Sequence, residues 1–166
     1  TWRSLMYKSK IPAGRVMLKS TLTPPSAERD FDGLPGVFGI GHFKVSGAFK
    51  VSGNVLSMLY GDDFKGKTDI SQYYYALTSL FVDCTTLTDA GNLVIPAVCP
   101  GCCVSMFYGC TSLTTPPELP ATTLADNCYS NMFEDCTSLT IAPELPATIL
   151  AEGCYSNMFS GCTSLV

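Results

Sequence analysis

Apolar and polar positions recur along the second half of this chain with a period of 26 residues. Cys84, Cys110, Cys136 and Cys162 share one register; Phe81, Phe107, Phe133 and Phe159 share a second; Leu87, Leu113, Leu139 and Leu165 share a third. The pattern is fullest in Cys128-Tyr129-Ser130-Asn131-Met132-Phe133-Glu134-Asp135-Cys136-Thr137-Ser138-Leu139 and begins again, nearly unchanged, at Cys154. A looser copy runs from Cys102 to Leu113 and a worn one from Ala76 to Leu87. A fixed period of roughly 20–50 residues is the mark of a solenoid, in which each coil buries its apolar face against its neighbours. Within one coil, Leu124, Cys128, Met132 and Cys136 fall four apart with Tyr129 and Phe133 beside them. This spacing predicts the apolar stripe of a short helix, with Asp126 near its N-terminus, where a carboxylate suits the helix dipole. Leu139 and Ile141 alternate with polar neighbours and predict a short strand. Pro143-Glu144-Leu145-Pro146 closes it, because proline has no N–H to donate to a ladder. The expected coil is strand, proline-bounded loop and short helix, with the strands stacked as a parallel sheet.

The rest of the chain is patterned differently. Residues 1–54 hold the single Trp and the single His and no Cys. Gly14-Arg15-Val16-Met17-Leu18-Lys19 is strand-like, and Phe43-Lys44-Val45-Ser46-Gly47 is repeated as Phe49-Lys50-Val51-Ser52-Gly53. The period of two, broken by Gly, predicts an all-β N-terminal capping region. Thr23-Pro24-Pro25-Ser26-Ala27-Glu28-Arg29-Asp30 reads as an exposed loop. Ser57-Met58-Leu59-Tyr60-Gly61-Asp62 echoes Ser105-Met106-Phe107-Tyr108-Gly109-Cys110 at an offset of 48 residues, one full repeat plus a shortened one of 22. Residues 55–75 are therefore expected to form a degenerate first coil, with Asp62 in the cysteine register, and residues 76–166 the regular coils, the last incomplete. Leu93-Val94-Ile95-Pro96-Ala97 comes two residues late relative to Leu119-Pro120-Ala121, and the stretch to Cys102 is two residues shorter. The period survives, as a stacked coil requires.

Composition narrows the function classes. Of 166 residues only 14% are charged and 46% are hydrophobic, so Ser, Thr, Asn and Gly must wet much of the surface. A net charge of −4 supplies no basic field for nucleic acid. No run approaches the ~18 apolar residues of a membrane span. The first residue, Thr1, suggests a processed or trimmed chain, and the stop at Leu165-Val166 falls mid-coil, which suggests further repeats or a partner over that end.

Candidate chemistry is sparse. The cysteine series at 84, 110, 136 and 162, and the second series Cys102, Cys128 and Cys154, are best read as a structural ladder of free, buried thiols. Stacked coils about 4.8 Å apart would not exclude bridges, but side chains in register point the same way. Cys99-Pro100-Gly101-Cys102-Cys103 contains a CxxC, yet Cys102 already belongs to the repeat and no second CxxC exists. A zinc or redox centre is not expected. His42 has no catalytic constellation around it, no GxSxG elbow accompanies the many Ser and Thr, and Asp62, Asp63 and Asp69 match no EF-hand spacing. The prediction is a non-catalytic chain with no cofactor and no metal. Tyr73-Tyr74-Tyr75 offers aromatic contact area, unless these rings only fill space between coils. Thr114, Thr115 and Thr140 would form a polar stripe on the strand face, either contacting a ligand or merely solvating the sheet.

Leu119-Pro120-Ala121-Thr122-Thr123-Leu124, then Met132-Phe133, Cys136 and Leu139, resemble the repeat of BspA-type leucine-rich-repeat surface proteins. The likeness spans about residues 76–166, and 43–64 resembles the segment that precedes such repeats. Met in place of the usual Ala before Phe, a longer period and two Cys per coil depart from the pattern. The resemblance implies a right-handed β-α superhelix and a secreted or surface-anchored adhesion module that binds protein or glycan. The alternative is a passive spacer or display element of a larger surface or virion fibre.

Overall fold

The computed structural model describes residues 47–68 and 70–166. Most of the N-terminal capping region, with His42 and the first copy of its repeat, and Asp69 lie outside the described residues. The second copy forms strand β1 (Phe49–Asn54), followed by helix α1 (Leu56–Tyr60) and a 3-10 helix at Gly61–Phe64. Asn54 starts α1 by accepting the Leu56 amide on Oδ1 at 2.9 Å, a local cap. Leu56 and Leu59 are fully buried on the inner side of this helix.

Strand β2 (Leu87–Val94) pairs in parallel with β1, from Phe49 opposite Leu87 to Asn54 opposite Val94. The offset between paired residues is therefore 38 at one end and 40 at the other. Helix α1 and the 3-10 helix that contains Asp62 both lie within the span between β1 and β2. Beyond β2 the strand side thins to single parallel bridges, Asp89 with Thr115, Val94 with Glu118 and Thr123 with Ile149. Pro116, Pro117 and Pro143 follow the threonines where a ladder would continue, and each removes a donor. Leu139–Ile141, expected as a strand, is accordingly irregular, and Ile141 is exposed. The bridge offset falls from 26 at Asp89 to 24 at Val94, which locates the two extra residues of this coil within β2.

The opposite side of each coil holds a different structure from the expected helix. Residues 125–135 form consecutive turns in which alternate amides bond three residues back: Cys128 to Ala125, Ser130 to Asn127, Met132 to Tyr129, Glu134 to Asn131 and Cys136 to Phe133. The intervening amides leave the coil. Asn127, Tyr129, Asn131, Phe133 and Asp135 donate to the carbonyls of Glu152, Cys154, Ser156, Met158 and Ser160, at 2.8–3.0 Å. An α-helix would spend all its amides internally, so this ribbon of turns trades half of them for a ladder between coils. The same ladder joins Gly101–Gly109 to the ribbon above it.

Such a ribbon needs left-handed backbone at every fourth residue, and the sequence provides residues that tolerate it. Positive φ occurs at Tyr75, Ser79 and Asp83, at Gly101, Ser105 and Gly109, at Asn127, Asn131 and Asp135, and at Gly153, Asn157 and Gly161. Asn, Asp and Gly adopt this conformation at least cost. The four-residue spacing of Leu124, Cys128, Met132 and Cys136 is thus the period of the turns, not of a helix. Asp126, expected at a helix N-terminus, instead accepts the Glu152 amide of the next coil at 3.2 Å.

Between ribbon and strand side lies a narrow core. Phe81, Phe107, Phe133 and Phe159 stack in sequence with centroids 5.3, 5.5 and 5.7 Å apart and planes nearly parallel. Met106, Met132, Cys110, Cys136, Leu113 and Leu139 have no exposed surface.

Candidate binding surface

The cysteines do structural chemistry. All nine are free; eight are buried and Cys162 is half-buried. The thiols of Cys110, Cys136 and Cys162 donate to the carbonyls of Phe81, Phe107 and Phe133 of the preceding coil, at 3.1, 3.1 and 3.0 Å. Each of these carbonyls also accepts the amide of its own coil's Cys84, Cys110 or Cys136. Both lone pairs are therefore used, and the position calls for a small side chain with one donor. Burial pushes Cys136 up to about 12, and Cys110 is raised in the same direction. Such thiols are protonated at neutral pH and poor nucleophiles.

Cys99, Cys102 and Cys103 form a tighter group. The Cys99 amide donates to Cys102 Sγ at 3.3 Å, Cys102 Sγ lies 3.6 Å from Cys103 Sγ, and Cys99 Sγ donates to the Tyr73 carbonyl at 3.2 Å. The Cys103 thiol, then that of Cys99, favours negative charge on Cys102, and both are themselves pushed up. Among the described residues no three Cys, His, Asp or Glu side chains are placed to hold a metal ion.

The tyrosine triplet does not act as one patch. Tyr73 is buried and packs edge-on against Tyr60 at 5.3 Å. Tyr75 is half-buried, and its ring lies over the backbone of Gly101, where an added Cβ would come within 2.1 Å of Cε1. Only Tyr74 projects, 48% exposed. The same overlap recurs where Asp83 lies over Gly109 and Asp135 over Gly161. Side chain and glycine alternate from coil to coil along these columns because one left-handed residue covers the next.

The threonines are on the strand side. Thr114, Thr115 and Thr140 are exposed, and Thr114 Oγ1 donates to the Thr88 carbonyl at 3.0 Å. Thr115 packs against Gly91, whose Cβ would meet its methyl at 2.7 Å. The described contacts tie the tyrosines to the turn ribbon and the threonines to the bridges, so the six candidates fall on two separate parts of the coil.

Sequence reasoning missed a groove beside the threonines. Pro116, Pro117, Glu118, Leu119 and Pro120 of one coil and Pro143, Glu144 and Pro146 of the next line a cavity of about 350 Å³. Its signal was present as the repeated Pro-Glu-Leu-Pro, which explains the end of a strand but equally lays two fixed walls one coil apart. The walls are stiff, because proline fixes φ, and each carries one exposed carboxylate, Glu118 and Glu144. Stiff walls lose little entropy when a ligand settles. Set against known proteins, the chain matches no family model, no curated protein and no solved structure.

Proposed function

We propose that this chain is a leucine-rich-repeat-like solenoid module with an all-β N-terminal cap, working outside the cell or at its surface as a non-catalytic binding element for protein or glycan. The BspA-type resemblance of residues 76–166 supports that reading, with turn ribbons in place of the short helices of such a superhelix. The observation that carries it is the proline-walled groove with Thr114, Thr115 and Thr140 exposed on the same strand side. Recognition there is by surface complementarity: hydroxyls and carbonyls on a frame held rigid by the ribbon behind it. Only 14% of the residues are charged, and Glu118 and Glu144 are the charged residues of the groove walls. Binding of an uncharged ligand there therefore depends little on salt. The buried thiols of Cys110 and Cys136 each donate to a carbonyl of the preceding coil and so help hold that frame.

One observation favours the second reading, a passive spacer or display element. The candidate aromatics do not converge, since Tyr73 is internal and Tyr75 is spent on Gly101. An array of immobilised matrix proteins, mucins and glycans, probed with the full chain at low and moderate salt, separates the two. A saturable, salt-tolerant hit lost in Thr114→Lys/Thr140→Lys, with the fold intact by circular dichroism, supports the binding module. No hit on any surface supports the spacer.

A further inference from the structure

Charge is divided along this chain as sharply as hydropathy. All ten Lys and Arg lie within residues 1–67, while residues 68–166 carry nine Asp and Glu and no basic residue. Where a strand-side carboxylate has a lysine in the neighbouring coil, the two pair: Lys50 Nζ lies 2.9 Å from Asp89 Oδ2 across β1 and β2. Glu118 and Glu144 have no such neighbour. They hold the same position in successive Pro-Glu-Leu-Pro segments, both are exposed, and neither has an ion-pair partner among the described residues. Both line the groove of about 350 Å³, whose remaining lining is proline and Leu119. Of these, Pro117 and Leu119 are buried, so the carboxylates stand at the rim of an apolar trough.

Such a trough fits a side chain with an apolar stem and a cationic head, which lies along apolar surface while its charge stays at the rim. A guanidinium fits better than an ammonium. Its planar fork can meet two carboxylate oxygens at once, and it is the more weakly hydrated of the two. With no Lys or Arg in these coils, an incoming cation meets both carboxylates unneutralised. The volume is at the small end of the ~300–1,000 Å³ of ligand pockets, room for a side chain and not for a folded surface. We infer that the groove seats an arginine presented on an extended segment of a partner protein, its guanidinium between Glu118 and Glu144 and its stem on the proline walls. This rests on the reading of the groove as a binding surface and names the ligand class. A neutral glycan would cover the same walls and leave the two carboxylates partly desolvated and unpaired.

The test titrates the full chain with the blocked peptide acetyl-Ala-Pro-Arg-Pro-Ala-amide, with its citrulline analogue, and with the neutral disaccharide diacetylchitobiose. Amide shifts of Glu118, Leu119, Glu144 and Leu145 are followed by NMR at about 20 mM and about 300 mM salt. The arginine peptide is expected to shift these amides at least tenfold more tightly than its citrulline analogue, and to weaken at least tenfold at the higher salt. Glu118→Gln/Glu144→Gln should abolish the difference between the two peptides, with the fold intact by circular dichroism. Glu152→Gln, which removes an exposed carboxylate that does not line the groove, should preserve it. Equal affinity for arginine and citrulline overturns the proposal, as do shifts that survive Glu118→Gln/Glu144→Gln, which would mark diffuse attraction to an acidic body. Groove shifts with the disaccharide alone overturn it and keep the groove as a binding surface. No groove shift with any of the three overturns it and argues against the groove reading as well.

Discussion

The coil centred on Phe133 and the coil centred on Phe159 differ little in sequence and sharply in environment. Cys-Tyr-Ser-Asn-Met-Phe is common to both, yet Phe133 and Cys136 have no exposed surface while Phe159 and Cys162 are half-buried. The turn ribbon is present in both, with left-handed residues at Asn127, Asn131 and Asp135 and at Gly153, Asn157 and Gly161. Local backbone is therefore set within the coil, whereas burial depends on whether a neighbour lies above. Stability in such a stack is a sum of unit and interface terms, and among the described residues the coil of Phe159 has a neighbour on one side only.

The largest way to sharpen that contrast is to remove the stacked ring. Phe107→Ala, between two covered neighbours, is expected to cost about 3–5 kcal/mol, and Phe159→Ala markedly less. Urea titration of both variants checks it; equal losses would mean that the outer coil is as well packed as the inner one.

Next in size is the column of left-handed residues. Gly101→Ala places a Cβ against the Tyr75 ring at φ +63°, and a loss of about 2 kcal/mol is expected. The double variant with Tyr75→Ala should recover the steric part and leave a residue of about 1 kcal/mol for the backbone. Failure of that rescue would show that the ring does not lie where described.

Alkali should also distinguish inner from outer thiols. Burial holds Cys136 at about 12, against an ordinary value of 9.0. The folded state keeps a proton that the unfolded state loses, so stability is full below pH 9 and falls as pH rises from there towards 12. At pH 10 the loss is on the order of 1 kcal/mol for this thiol. Cys162, at the half-buried edge, is raised in the same direction. Urea midpoints at pH 8 and pH 10 should converge more in Cys136→Ser than in Cys162→Ser; the reverse order would contradict the burial pattern.

The smallest effect is at the surface. Lys50 Nζ lies 2.9 Å from Asp89 Oδ2 across the β1–β2 pair, but its side chain is 73% exposed. Lys50→Met is expected to change stability by about 0.5 kcal/mol or less, a difference that 0.5 M salt should erase in thermal melts.

Most of the stacking was legible in the chain, because a repeat of Phe, Cys and Leu at one spacing places like residues above like. The proline ends of the strands were legible for the same local reason: Pro116, Pro117 and Pro143 lack the N–H that a ladder needs. The ribbon was misread, since apolar residues four apart satisfy both a helical stripe and a four-residue turn. The distinguishing signal was polar rather than apolar: Asn127, Asn131 and Asp135, also four apart, are residues that accept left-handed backbone. The groove was not seen because it belongs to two coils at once, and its walls are each unremarkable alone.

The sequence by itself determined the period and the registers, because these rest on which residue types recur; Tyr75, Ser79 and Ser105 turn left-handed without the Asn, Asp or Gly that favours it. Only the tertiary structure decided where each amide goes. Half the ribbon's donors find acceptors 25 residues away, and that choice between a helix and a ladder is made by the neighbouring coil. The same neighbour decides which Leu, Phe and Cys count as core, since burial is a property of two surfaces and no residue carries it alone.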